Sequence, residues 1–269
     1  MRFDRERAMD IGVVQHVFRG CGDDDARFAR AAAMRVPCIE ADLTAADLAD
    51  AGATAESPRL RSLLSARDRH GVAVSSLCLG FHNGEGIVFA HWRGSRPDEE
   101  VAAALRWCRQ LGAGAVLVPF FFANEPKNAA QRKLLAERLK PLAALAGELG
   151  VQLCVEGTLT VEQAWQMAER VGSDAFGVYF DPGNSLWLER DPAAEARALG
   201  KLLRRCHLKD TRVNSGDALL GTGLLDGPGV ARALREVGYG GPVIIEAFGR
   251  SDEDVARELS VARGWFAGG

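Results

Sequence analysis

The chain has 269 residues, 47% of them hydrophobic and 26% charged, with a net charge of −3. This composition is globular, and a chain of this length buries roughly three quarters of its unfolded surface. It contains no apolar run of about eighteen residues or more, which excludes a helical membrane span, and no basic block, which argues against a nucleic-acid partner. The amino terminus, MRFDRERAMD, lacks the apolar stretch of a signal peptide. The expectation is a cytoplasmic protein acting on a small soluble molecule. Six scattered cysteines (Cys21, Cys38, Cys78, Cys108, Cys154 and Cys206) form no C-x-x-C pair, so neither a zinc finger nor a disulfide framework is expected.

Apolar, β-branched runs recur along the chain: IGVVQHV (11–17), PCIEADL (37–43), VAVSSLCL (72–79), AVLVPFF (115–121), VQLCVE (151–156), AFGVYFD (175–181), LRRCHLKD (203–210) and PVIIEAF (242–248). Most are continuous rather than alternating, as strands covered on both faces of a parallel sheet must be. Amphipathic segments separate them, including 98–113, which follows a Pro97-Asp98 start, and 129–150. Pro141 predicts a kink or break in the second segment. Gly112 and Gly150 stand where left-handed helix caps are needed. Eight strands alternating with helices over this length give a (β/α)8 TIM barrel, one α/β domain spanning 1–269. No G-x-G-x-x-G follows the first strand to suggest a doubly wound sheet. The glycine-rich stretch 75–97 is expected to form a loop over the strand tops.

A barrel gathers its chemistry at the C-terminal ends of its strands. The last four runs end in Glu156, Asp181, His207 and Glu246. Each has a structural reading when taken alone. Glu156 could cap a helix starting near Thr160, Asp181 opens the turn sequence Asp-Pro-Gly-Asn, and His207 could be a core histidine. Glu246 resists such a reading, because a carboxylate inside VIIEAF is rarely buried unpaired. Four coincidences at successive strand ends favour a joint site. Two glutamates, an aspartate and an imidazole suit a divalent cation, Mn²⁺, Mg²⁺ or Co²⁺ foremost and Zn²⁺ also. That cation explains how three carboxylates share a small space.

With these motifs in hand, the sequence resembles the sugar phosphate isomerase/epimerase superfamily, whose fold is the xylose isomerase-like TIM barrel. CIEADL, LAALAGELGVQLCVEG, VYFDPGN, HLKD and GTGLLDGPGVARALREVGYGGPVIIEAF carry the resemblance in order and spacing. It implies a metal held by Glu156, Asp181, His207 and Glu246, with Glu156 and Glu246 as the acid/base pair on either side of a sugar or polyol-derived substrate. The implied reaction passes a proton between them through an enediolate. Isomerisation, epimerisation and dehydration (inosose or dehydroshikimate type) all branch from that step. The apurinic endonucleases of the same superfamily need more histidines than the five present and a basic groove. Members are often dimers or tetramers, so a homo-oligomer is an open expectation.

Two positions depart from the pattern. Asn184 stands where many relatives carry histidine, and Arg212 lies one position out of register with the substrate-binding arginine of ketose 3-epimerases. Further substrate candidates are Lys209, which suits a phosphate or carboxylate, and His82 in the long third loop. Asp210 is expected to orient His207 or Lys209 or to contact substrate, and Asn184 to hydrogen-bond substrate or orient a ligand. Glu40 is expected at the opposite rim or at a helix start, and Trp92, Phe120, Phe121 and Trp187 are possible walls for a sugar face.

Overall fold

The computed structural model describes residues 9–48, 57–85, 97–212 and 216–267. Trp92 and most of the glycine-rich stretch after residue 85 lie outside them. Eight parallel strands close into a barrel: β1 (Ile11–Val14), β2 (Cys38–Asp42), β3 (Ala73–Cys78), β4 (Ala115–Phe120), β5 (Gln152–Gly157), β6 (Phe176–Phe180), β7 (Leu203–Leu208) and, after a small hairpin, β10 (Val243–Ile245). The strands neighbour one another in chain order, and β1 pairs with both β2 and β10 to complete the ring. All eight expected runs become barrel strands. Their apolar continuity follows from burial on both faces, and β1 and β4 are buried at every residue.

The helices lie between strands and cover the outside. The helix Pro97–Leu111 buries Val101, Leu105, Trp107 and Cys108. Gly112 and Gly150 adopt the left-handed φ their positions called for, 70° and 69°. The helix Ala129–Leu149 runs through Pro141 undivided, so of the kink or break expected there the break does not occur. Pro141 and Glu137 both lie on the exposed side, so the carbonyl that proline leaves without an amide partner faces water.

The hairpin was not anticipated. Strands β8 (Asp210–Arg212) and β9 (Gly216–Ala218) pair antiparallel just beyond β7. Inside the barrel, Cys78, Ala115, Leu117, Cys154 and Tyr179 form a small buried cluster. Tyr179 on β6 reaches Ser76 on β3, with 3.3 Å between the hydroxyls, and its ring lies 4.2 Å from that of His207 on β7. This lumen core is the platform beneath the polar groups. Among the described residues, no helix is long and apolar enough to cross a membrane.

Candidate metal centre and substrate cavity

Glu156 is carried by β5 and His207 by β7. Asp181 follows the last residue of β6, and Glu246 the last residue of β10. The amide of Glu246 donates to the carbonyl of Leu208 at 3.1 Å, so the ladder between strands extends to the carboxylate-bearing residue. Glu156, His207 and Glu246 each offer a donor atom, and these atoms lie within 4.8 Å of one another. Nδ1 of His207 stands 3.5 Å from Oε1 of Glu156 and 3.8 Å from Oε2 of Glu246. Asp181 reaches the cluster through Lys209, whose ammonium lies 2.7 Å from Oδ2 of Asp181 and 2.7 Å from Oε2 of Glu246. The other oxygen of Asp181 accepts from the amide of Gly183 at 2.7 Å. It caps the short helix Pro182–Trp187, so the turn reading and the site reading of Asp181 hold together.

The imidazole is oriented from across the barrel. Nε2 of His207 donates to Oε1 of Glu40 at 2.9 Å, and Ser76 donates its hydroxyl to the other oxygen of Glu40 at 2.7 Å. With Nε2 engaged, Nδ1 is the nitrogen left facing Glu156 and Glu246; it is buried and has no hydrogen-bond partner. A buried imidazole nitrogen without a hydrogen-bond partner, with two carboxylates within 4 Å and its opposite nitrogen held by a third, fits a divalent cation. Asn184 donates to Oε1 of Glu156 at 2.9 Å and fixes that carboxylate.

Glu40, Glu156, Asn184, His207, Lys209 and Glu246 form the floor of a cavity of about 740 Å³, and Asp181 lies outside its wall. His16, Asp42, Asn83 and Glu125 line it further up, with Phe81, Phe121, Phe122, Trp187 and Phe248 around them. Phe120 belongs to the core instead.

Three expected substrate contacts lie elsewhere. His82 is fully buried, its Nε2 3.0 Å from a carboxylate oxygen of Glu100, because the short helix His82–Glu85 turns the ring inward. Asp210 does not orient His207 or Lys209. Its carboxylate accepts the amides of Thr211, Gly221, Gly223 and Leu225 at 2.9–3.0 Å, gathering the loop after the hairpin. A Cβ at Gly223 would stand 2.4 Å from the carbonyl of Thr211, which explains the second glycine of the G-T-G motif. Arg212 is exposed on β8 and is absent from the cavity wall.

The groups that sequence reading missed are His16 and the pairing of Glu40 with His207. Glu40 gave the same signal as Glu246, a carboxylate in an apolar strand. His16 closes the first apolar run, and its Nε2 lies 2.8 Å from Asp42.

Residues 28–265 match the family model described as the xylose isomerase-like TIM barrel. The chain belongs to that family. A putative L-ribulose-5-phosphate 3-epimerase of Escherichia coli K12 is 27% identical to it over 226 residues, 76% of each chain. An L-ribulose-5-phosphate 3-epimerase of Escherichia coli O157:H7 is 26% identical over 219 residues, covering 76% of this chain and 75% of that one. Among solved structures, a xylose isomerase domain protein from Planctomyces limnophilus superposes with a TM-score of 0.78 at 22% identity, covering 96% and 98% of the two chains. The 3-keto-D-glucoside 4-epimerase of Escherichia coli does so at 0.76 and 18%, covering 95% and 99%.

In this xylose isomerase-like barrel, the electrostatics separate the two glutamates. Burial pushes the Glu156 carboxyl up to about 7, only partly offset by His207. Burial acts on Glu246 in the same sense, but His207 and Lys209 outweigh it and hold its carboxyl below the ordinary value. Burial alone would lower His207; Glu40, Glu156 and Glu246 reverse that and hold it well above an ordinary imidazole. The pair of glutamates is therefore unequal, one inclined to keep a proton and the other to stay ionised.

Proposed function

We propose that the protein is a divalent-metal-dependent isomerase or epimerase of a small polyhydroxylated carbonyl compound, moving a proton between Glu246 and Glu156. One observation carries the reading: Nδ1 of His207 lies 3.5 Å from a carboxylate oxygen of Glu156 and 3.8 Å from one of Glu246, and all three residues line a cavity large enough for a sugar. The names of the curated relatives, sugar-phosphate 3-epimerases, support the same class of chemistry.

Glu156, His207 and Glu246 would hold the ion, with Asp181 as a fourth donor once Lys209 moves from it. When bound, the ion supplies positive charge beside the substrate carbonyl and its neighbouring hydroxyl. Glu246, ionised, takes the proton from the carbon next to the carbonyl; the C–H electron pair becomes the carbon–carbon double bond of the enediolate while the carbonyl π pair moves onto oxygen. Glu156, the more basic of the two carboxylates, picks up a proton from solvent while the enediolate is held and returns it from the other side. Delivery to the opposite face of the same carbon gives an epimer. Asn184 keeps the Glu156 carboxylate aimed, and Lys209 keeps Glu246 charged until substrate arrives.

The test is hydrogen exchange. In deuterated solvent with Mn²⁺ supplied, a panel of ketoses, hydroxypyruvate and inososes should include a compound that takes up deuterium next to its carbonyl. Glu246→Gln should slow this by about 10²–10⁴-fold, the range for removing a general base. Equal exchange by variant and parent would discard the acid/base assignment. A product absorbing in the ultraviolet as an enone would redirect the chemistry to elimination.

A further inference from the structure

The upper cavity has a different character from its floor. Around the mouth, Phe122, Trp187 and Phe248 leave 77%, 65% and 55% of their surface in solvent. Apolar rings left in water are stabilised by any ligand surface that covers them. Phe122 carries a cost of its own, a backbone φ of 52°, which is an outlier for a bulky residue. Strain and exposure thus coincide on one aromatic ring at the entrance. Below it, Asp42 and Glu125 join the acids of the floor on the cavity wall. The ammonium of Lys209 is engaged with Asp181 and Glu246. The volume of about 740 Å³ falls in the range of roughly 300–1,000 Å³ that encloses drug-sized ligands.

We infer that the substrate is an uncharged molecule in two parts, a polyhydroxylated carbonyl head on the floor and an apolar planar group against Phe122, Trp187 and Phe248. The head rests on the function proposed above; the aromatic mouth stands without it. The inference departs from the phosphorylated sugars in the relatives' names. Among the described residues that line the cavity, Lys209 is engaged with Asp181 and Glu246 and His16 with Asp42, so a phosphate ester, with a charge of about −2, would find no unpaired cation there and would meet Glu125 on its way in. A flat apolar group gains by covering the exposed rings, since sugar and aryl faces stack on aromatic side chains.

Calorimetry on the full chain tests this without any reaction. The ligands are the methyl and phenyl β-glycosides of D-glucose, D-galactose and D-xylose, with glucose and glucose 6-phosphate as a further pair. At least one phenyl glycoside should bind about tenfold or more tightly than its methyl counterpart, and glucose 6-phosphate should bind no more tightly than glucose. In Trp187→Ala and Phe122→Ala, the ratio of phenyl to methyl affinity should fall towards one. Tighter binding of the phosphate, no phenyl preference, or a preference that survives both substitutions overturns the inference. Deuterium exchange separates the two readings. Exchange on a free ketose with no phenyl preference leaves the function and removes the inference. Phenyl preference without exchange on any compound does the reverse.

Discussion

Glu40 and His207, 167 positions apart in the chain, meet across the barrel with 2.9 Å between carboxylate and imidazole. The contact ties β2 to β7 and decides which ring nitrogen faces Glu156 and Glu246. Supporting carboxylates of this kind are worth about 10–100-fold in metal affinity when removed. Glu40→Ala should therefore weaken Mn²⁺ binding by that factor in a competition titration, and Glu40→Gln, which keeps an acceptor, should weaken it less. Unchanged affinity in both variants would show that the imidazole does not take part.

Acidity should govern metal binding. Below about pH 7 Glu156 keeps its proton, and a ligand must shed its proton to coordinate. Affinity at pH 6 should be lower than at pH 8 by about tenfold for this one group. A metal titration at several pH values, with proton release followed in weakly buffered solution, checks the slope.

The same carboxyl sets a stability trend in the metal-free protein. Its folded value lies above that of an unfolded glutamate, 4.5. The unfolded chain therefore releases the proton first, and stability is lost as pH rises from about 4.5 to about 7. His207, also raised, adds loss in the same direction at higher pH. Glu156→Gln should remove the first part of the trend and be more stable than the parent at pH 8 by about 3 kcal/mol, with little advantage at pH 4.5. Urea unfolding at the two pH values measures it.

Lys209 is the counter-ion of the buried Asp181 and the partly buried Glu246 in the absence of metal. Lys209→Met should destabilise the metal-free protein by about 3 kcal/mol or more, the cost of leaving a buried partner uncompensated. Added Mn²⁺ should stabilise this variant more than the parent, because the ion replaces the missing charge. Equal stabilisation of the two proteins would argue that ion and ammonium do not share these oxygens.

Asp210 presents a further target. Four backbone amides converge on its carboxylate, and hydrogen bonds to charged groups contribute about 1.5–3 kcal/mol apiece. Asp210→Ala should cost at least about 3 kcal/mol and raise amide exchange at Gly221, Gly223 and Leu225. Protection that persists at these three amides would assign the loop's order to other contacts.

The barrel was legible because parallel strands buried on both faces must be apolar throughout, and a carboxylate interrupting such a run is conspicuous. Glu156, Asp181, His207 and Glu246 stood out on that ground. Their partners did not. Asp210 lies close to His207 in the chain, yet its carboxylate gathers the amides of the following loop, while Glu40 is distant in sequence and is brought opposite only by ring closure. His82 was misplaced for a related reason: a histidine in a glycine-rich stretch suggests exposure, and nothing local announces that a single helical turn will face it toward Glu100. The mouth aromatics were indistinguishable from core residues, because exposure belongs to the folded surface and not to the residue type.

The amide of Glu246 continues the strand ladder one residue past β10, whereas Phe122 and Trp187 sit on the short segments that follow strands. The carboxylates proposed as the acid/base pair are thus fixed by the strands, and the exposed rings by the segments that follow them. Rebuilding those short segments can therefore reshape the doorway while the carboxylates behind it stay where the barrel puts them.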